Sequence, residues 1–181
     1  MEETSGMIPN EASEVDSSPK EDSKEIAESF QALELVKVRQ THYYSNLRVL
    51  TLRNSQLGWR EVEKLIEEIN FPKNLQDLDI SENYLQDKGV WTLMESSIDW
   101  KSLESLNLAS NHFGKRGARF LSCSLALKGL KSLDLSRNPI GSEGVKFIAE
   151  STHWTRLEVL SLNKISIDDL GIKYVAANET W

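Results

Sequence analysis

The chain has 181 residues, a single Cys and a formal net charge of −7 at pH 7. That length suits one domain with a real core, and one Cys excludes an internal disulfide and a cysteine-based metal site. The charge is uneven: residues 1–24 carry seven acids (Glu2, Glu3, Glu11, Glu14, Asp16, Glu21, Asp22) and two lysines (Lys20, Lys24), a net −5, which leaves −2 for the rest. With no dominant basic patch, a nucleic-acid partner is not expected.

The start, "MEETSGMIPNEASEVDSSPKEDSK", has neither a basic region nor an apolar run and does not read as a signal peptide. No segment reaches the roughly 18 apolar residues of a membrane helix. The expectation is a reduced, cytoplasmic protein with no membrane partner. Residues 1–22, rich in Ser, Glu, Asp and Pro, read as a disordered acidic tail. From Ser23 the pattern changes. Ile26, Phe30, Leu33 and Val36 fall at helical spacing, with Asp22 or Ser23 placed as an N-cap, and predict a helix over 23–38. With the lead-in to residue 46, this helix is placed to cap the first strand's core.

From Leu47 the chain repeats itself. "LRVLTLRNSQL", "LQDLDISENYL", "LESLNLASNHF", "LKSLDLSRNPI" and "LEVLSLNKISI" begin at Leu47, Leu75, Leu103, Leu130 and Leu157, at intervals of 28, 28, 27 and 27 residues. The L-x-L alternation predicts a short strand with one buried face. A helical pattern follows each: in "GWREVEKLIEEI", Val62, Leu65, Ile66 and Ile69 share a face. Neither element buries its apolar side alone, whereas stacked copies do, and strands joined by helical crossovers in one sense run parallel. The fold class is therefore α/β: a curved solenoid, an inner parallel sheet with outer helices, of about five 27–28-residue repeats. Period and motif resemble the leucine-rich repeats of the ribonuclease-inhibitor type, over residues 47–181, about three quarters of the chain.

The resemblance implies that Asn83, Asn111 and Asn138, at one repeat position, form an asparagine ladder satisfying the backbone turn after each strand. Ser55 and Ile165 replace Asn at that position in the end repeats. Gly89, Gly117, Gly144 and Gly171 align in the first turn of each helix, which predicts close approach of helix to sheet. Tyr44, Pro72, Trp100, Leu127 and Trp154 each stand three residues before a strand's first Leu and predict buried corner residues. "NETW" repeats the phase of "SIDW" and "STHW", so a further Leu is due near position 184 and the repeat domain reads as open or truncated at its C-terminal end. An open end of this kind invites self-association. The N-x-T pattern at Asn178 reads as incidental.

Residues between the strand leucines form the inner face. They are Val49, Asp77, Ser105, Ser132 and Val159; then Thr51, Asp79, Asn107, Asp134 and Ser161; then Arg53, Ser81, Ala109, Ser136 and Asn163; and just beyond, Asn54, Glu82, Ser110, Arg137 and Lys164. This face is polar, mildly acidic and without aromatic residues. Arg53, Asp77, Asp79, Glu82, Asn107, Asp134, Arg137 and Ser161 are the predicted contacts for a protein partner, most suitably a basic one. Trp59 and Trp91 read as packing between helices, and Cys123 as a small core residue. His42, His112 and His153 come from different repeat phases and read as surface residues, not metal ligands. No catalytic, cofactor-binding or metal residue stands out. The function expected is non-enzymatic protein binding through the concave face or strand-end loops. Proteins of this type also include ligand-sensing repeats of intracellular immune receptors, the tropomodulin capping domain and activators of the Ran GTPase. The last implies an alternative in which Arg53 or Arg137 reaches a GTPase's active site.

Overall fold

The computed structural model describes residues 47–68 and 71–179. The acidic tail, the cap helix over 23–38, Tyr44, His42, Ile69 and Trp181 lie outside the described residues. The elements follow in strict alternation: β1 (Val49–Thr51), α1 (Trp59–Glu68), β2 (Asp77–Asp79), α2 (Gln86–Glu95), β3 (Ser105–Asn107), α3 (Lys115–Cys123), a 3-10 turn (Leu125–Leu127), β4 (Ser132–Asp134), α4 (Gly141–Ala149), β5 (Val159–Ser161) and α5 (Asp169–Ala176). The five strands form one parallel sheet in the order β1-β2-β3-β4-β5. Leu50, Leu78, Leu106, Leu133 and Leu160 stand in register, so the gapless alignment of the sequence is also the alignment in space. Strands in a sheet sit about 4.8 Å apart and packed helices about 8–10 Å apart, so the stack curves with the sheet inside.

Each strand is only three residues long because the chain turns soon after it. Asn54, Glu82, Ser110, Arg137 and Lys164, all at one repeat position, adopt φ of 52–58°, a left-handed conformation that bends the backbone towards the helix. A second left-handed residue alternates between two places. It is Gln56, His112 and Ser166 in repeats one, three and five, and Gln86 and Gly141 in repeats two and four. Pro139 occupies the His112 position in repeat four, and its ring cannot take a positive φ, so the turn moves to Gly141.

The core lies between sheet and helices. Leu50, Leu52, Leu78, Ile80, Leu106, Leu108, Leu133 and Leu135 are at most 3% exposed and meet Val62, Leu65, Val90, Leu93, Ala118, Leu121, Val145 and Ile148 from the helices. The predicted corners are buried at Pro72, Trp100, Leu127 and Trp154. The carbonyl of each accepts a hydrogen bond from the strand's first Leu, at 3.0–3.1 Å. Phe71 packs edge-on against Trp100 with ring centroids 5.5 Å apart.

The three ladder asparagines are buried. Asn111 Nδ2 donates to the carbonyls of Ile80 at 2.9 Å, Leu108 at 3.1 Å and Ala109 at 3.3 Å, and Asn83 and Asn138 repeat the scheme one repeat to either side. Asn83 Oδ1 accepts the N–H groups of Ser55 and Leu57, and Asn138 Oδ1 accepts that of Asn111. One amide side chain thus joins two turns. Ile165, 1% exposed at the same position, ends the ladder with an apolar side chain.

Two expectations need correction. The aligned glycines make room for the residue four positions earlier and for the preceding helix, not for the sheet. A Cβ on Gly144 would lie 2.4 Å from Ile140 Cγ2 and 3.2 Å from Lys115 Cα, and one on Gly117 would lie 2.8 Å from Phe113 Cδ2. Cys123 is exposed rather than a core residue. It shares its repeat position with Glu95 and Glu150, both exposed, while the buried side of that turn belongs to Ser122.

Candidate interaction surface

The outward residues of the strands form three ranks of differing accessibility. Asp77, Ser105 and Ser132 of the first rank, and Thr51, Asp79, Asn107, Asp134 and Ser161 of the second, are half-buried on the open face. Asp79, Asn107, Asp134 and Ser161 stand side by side in register on consecutive strands. Three of these predicted contacts also have a local task. Asp79 Oδ1 accepts the Ser81 N–H at 2.9 Å, Asn107 Oδ1 that of Ala109 at 3.0 Å, and Asp134 Oδ1 that of Ser136 at 2.9 Å. Each is an Asx-type turn that closes the strand's exit. Each aspartate keeps a second carboxylate oxygen that makes no hydrogen bond within the described residues. The third rank departs from the sequence reading: Ser81 and Ser136 are 2% and 6% exposed, so the surface is interrupted there.

Arg53 and Glu82 sit at the strand exits and pair across repeats, Nη2 to Oε1 at 2.7 Å. The hydrogen bond to Glu82 and its charge hold the Arg53 guanidinium above its ordinary pKa. Arg137 is exposed at the same rank as Glu82 and makes no ion pair among the described residues. At the opposite edge Lys131 bridges to Glu104 at 2.8 Å, and that hydrogen bond lowers the Glu104 pKa.

The exit rim also holds residues that the sequence reading missed. Tyr84, 57% exposed, stacks on His112 of the next repeat, with centroids 5.6 Å apart and planes 8° from parallel. They belong to the position of Gln56, Pro139 and Ser166, two residues beyond the outermost rank considered. The repeat alignment brings them together, which is the signal that could have found them. On the helical side, Lys88 Nζ lies 3.0 Å above the Trp59 ring, so Trp59 joins α1 to α2, whereas Trp91 is 42% exposed. Between α2 and α3 runs a groove of about 640 Å³ lined by Met94, Glu95, Arg116, Arg119, Phe120, Cys123 and Ser124. No group of three or more His, Cys, Asp or Glu side chains able to hold a metal occurs among the described residues. No described helix is long and apolar enough to cross a membrane.

The family model for the Leucine Rich repeat matches residues 72–94, 101–122 and 130–149, the body of repeats two to four. The chain is a leucine-rich-repeat protein. Two solved structures share this repeat protein's fold. The tropomodulin C-terminal domain of Caenorhabditis elegans is 17% identical, with 81% of this chain and 90% of that one covered and a TM-score of 0.56. The leiomodin-1 actin-binding site 2 is 18% identical, with 81% and 87% covered and a TM-score of 0.54. No curated protein matches the chain.

Proposed function

We infer that this leucine-rich-repeat protein, of the ribonuclease-inhibitor type by its period and its helix in every repeat, is an interaction module. It takes a basic protein partner across the inner sheet face and the exit rim. The observation that carries this reading is the exposed Tyr84–His112 stack at the exit rim, together with the row Asp79, Asn107, Asp134 and Ser161 on the open sheet face. A stacked Tyr is a large, pre-ordered contact of the kind that anchors protein interfaces. The Asp79 and Asp134 carboxylates, fixed by their turn hydrogen bonds, favour cationic side chains and disfavour acidic ones. Asp77 extends the acidic face, Ser161 ends its row, and Arg137 with Lys164 makes the rim basic at repeats four and five.

Affinity capture compares three forms of the protein: unchanged, Tyr84→Ala, and Asp79→Lys with Asp134→Lys. A basic partner retained by the first and lost by the other two supports the reading, while partners indifferent to both changes would sink it. A second reading is actin, because the leiomodin-1 structure sharing the fold is an actin-binding site. Co-sedimentation with filamentous actin tests it directly. The GTPase-activating alternative rests on Arg137, since Arg53 is held by Glu82. It requires faster GTP hydrolysis by a small GTPase, lost in Arg137→Ala.

A further inference from the structure

The groove between α2 and α3 joins an apolar floor to positive charge without an ion-pair partner. Met94 and Phe120 are half-buried in it. Trp91, 42% exposed, lies one turn before Met94 and Glu95 on α2, and Leu125, 58% exposed, follows the groove residue Ser124. Arg116 and Arg119 stand exposed on α3, and neither makes an ion pair among the described residues. Among the described residues, α3 alone of the α-helices has no acid: α1 holds Glu61, Glu63 and Glu67, α2 Asp87 and Glu95, α4 Glu143 and α5 Asp169. The position of Glu67, Glu95 and Glu150 in other repeats is Cys123 in repeat three. Two guanidinium groups thus line the groove against one carboxylate, Glu95.

We propose that the acidic segment of this chain, residues 1–24, docks on its own α2–α3 groove, with Met7 and Ile8 on the Met94–Phe120 floor and Glu11, Glu14 and Asp16 towards Arg116 and Arg119. The segment has the matching chemistry. It carries a net −5, and its one adjacent pair of large apolar residues, Met7 and Ile8, is followed by those three acids with no base between them. Residues 25–46 link it to β1. Even at a helical rise they reach about 33 Å, and α3 stands two repeats from β1, about 20 Å along the stack. Such a tether holds the segment at an effective concentration of millimolar order, enough to fill a weak site without a second molecule. Carboxylates meeting guanidinium groups give the contact its direction. The inner sheet face is the wrong choice for the same segment, because Asp77, Asp79 and Asp134 repel it there.

Cys123, the single cysteine, is exposed and lines the groove, so its alkylation by N-ethylmaleimide reports occupancy in the full chain. Glu11→Lys with Glu14→Lys and Asp16→Lys should speed the reaction by about fivefold, as expected when a millimolar-range tethered contact is lost. Met7→Ser with Ile8→Ser should also speed it. Arg116→Glu with Arg119→Glu alters exposed positions and should leave the far-UV spectrum intact. Within that groove background the thiol's own reactivity is common to all forms, and the order should invert: the lysine-bearing segment protects Cys123 and the natural one does not. Equal rates for the natural and lysine-bearing segments would leave the groove to another protein and overturn the proposal. Protection that fails to invert would place the segment elsewhere, such as the Arg137–Lys164 rim, and overturn it too. Protection that grows with protein concentration would make the occupant another copy's segment and overturn docking within one chain.

Discussion

Repeats four and five carry the same apolar pattern and differ in what meets it. Leu133, Leu135, Ile140, Val145 and Ile148 are at most 2% exposed, while their equivalents 27 residues later, Leu160, Leu162, Ile167, Ile172 and Val175, are half-buried or, for Ile172, 56% exposed. The ladder changes at the same place, from Asn138 bonded to three carbonyls to the apolar Ile165. So does the entry to the helix. α4 begins at Gly141 with a φ of 67°, whereas Asp168 Oδ1 accepts the Leu170 and Gly171 N–H groups at the start of α5. In a solenoid each repeat contacts only its neighbours, so burial belongs to the stack and not to the residue.

The contrast is open to measurement, and the largest effect is expected in the sheet layer. Leu135→Ala should lower unfolding free energy by about 2–5 kcal/mol, as for a fully buried Leu. Leu162→Ala should cost about 1 kcal/mol, because much of that side chain already meets solvent. Equal costs in urea titrations would remove the distinction between the repeats. The ladder comes next. Asn111→Ala takes one of two side-chain donors from the buried Ile80 and Leu108 carbonyls, which Asn83 and Asn138 still serve, and removes the acceptor of the buried Leu85 N–H, at about 1–3 kcal/mol for that group left unpaired. Asn163→Ala, on the exposed rank of repeat five, should stay within about 0.5 kcal/mol of the unchanged protein.

Helix spacing gives a smaller difference. Gly144→Ala puts a Cβ against Ile140 and the backbone of Lys115 and should cost about 1–3 kcal/mol. Gly171→Ala meets the Ser142 hydroxyl at 2.9 Å and Ile167 Cβ at 3.0 Å. It should cost less in the same urea titrations, since the Ser142 side chain can rotate away. The smallest effect is the pH response of the α5 cap. The Ser142 hydroxyl and then the Gly171 N–H hold the Asp168 carboxyl below its ordinary pKa. A depressed carboxyl stabilises the folded cap above the unfolded pKa and loses that contribution as pH falls through the lower folded value. Amide exchange at Leu170 and Gly171 should therefore accelerate relative to α4 as pH drops below about 4. Asp168→Asn should remove the pH dependence while keeping a cap.

Much of the fold was legible because the same physical demand recurs five times. Leu50, Leu78, Leu106, Leu133 and Leu160 could be placed in register from spacing alone, and Asn83, Asn111 and Asn138 from their shared position. The errors came from reading residues singly. Cys123 looked like a core residue by type, although its repeat position is that of Glu95 and Glu150. The glycine column suggested contact with the sheet, but the space it opens belongs to the residue four earlier and to the neighbouring helix. The outward face was legible in part. The register of Asp79, Asn107 and Asp134 followed from spacing, but their turn-closing hydrogen bonds, the burial of Ser81 and Ser136, and the Tyr84–His112 stack did not. Each depends on where the backbone bends after a strand.

By itself the sequence determined the repeat, the parallel order of the strands and the buried leucines, because a pattern repeated every 27–28 residues stacks its apolar sides in phase, while the asparagine ladder followed from the resemblance to leucine-rich repeats. Only the tertiary structure decided which outward residues remain accessible and how Arg53 meets Glu82 and Tyr84 meets His112 across repeats. Those outcomes depend on what stands next to a side chain in space, 28 or 29 residues away along the chain, and on left-handed turns whose place differs between repeats.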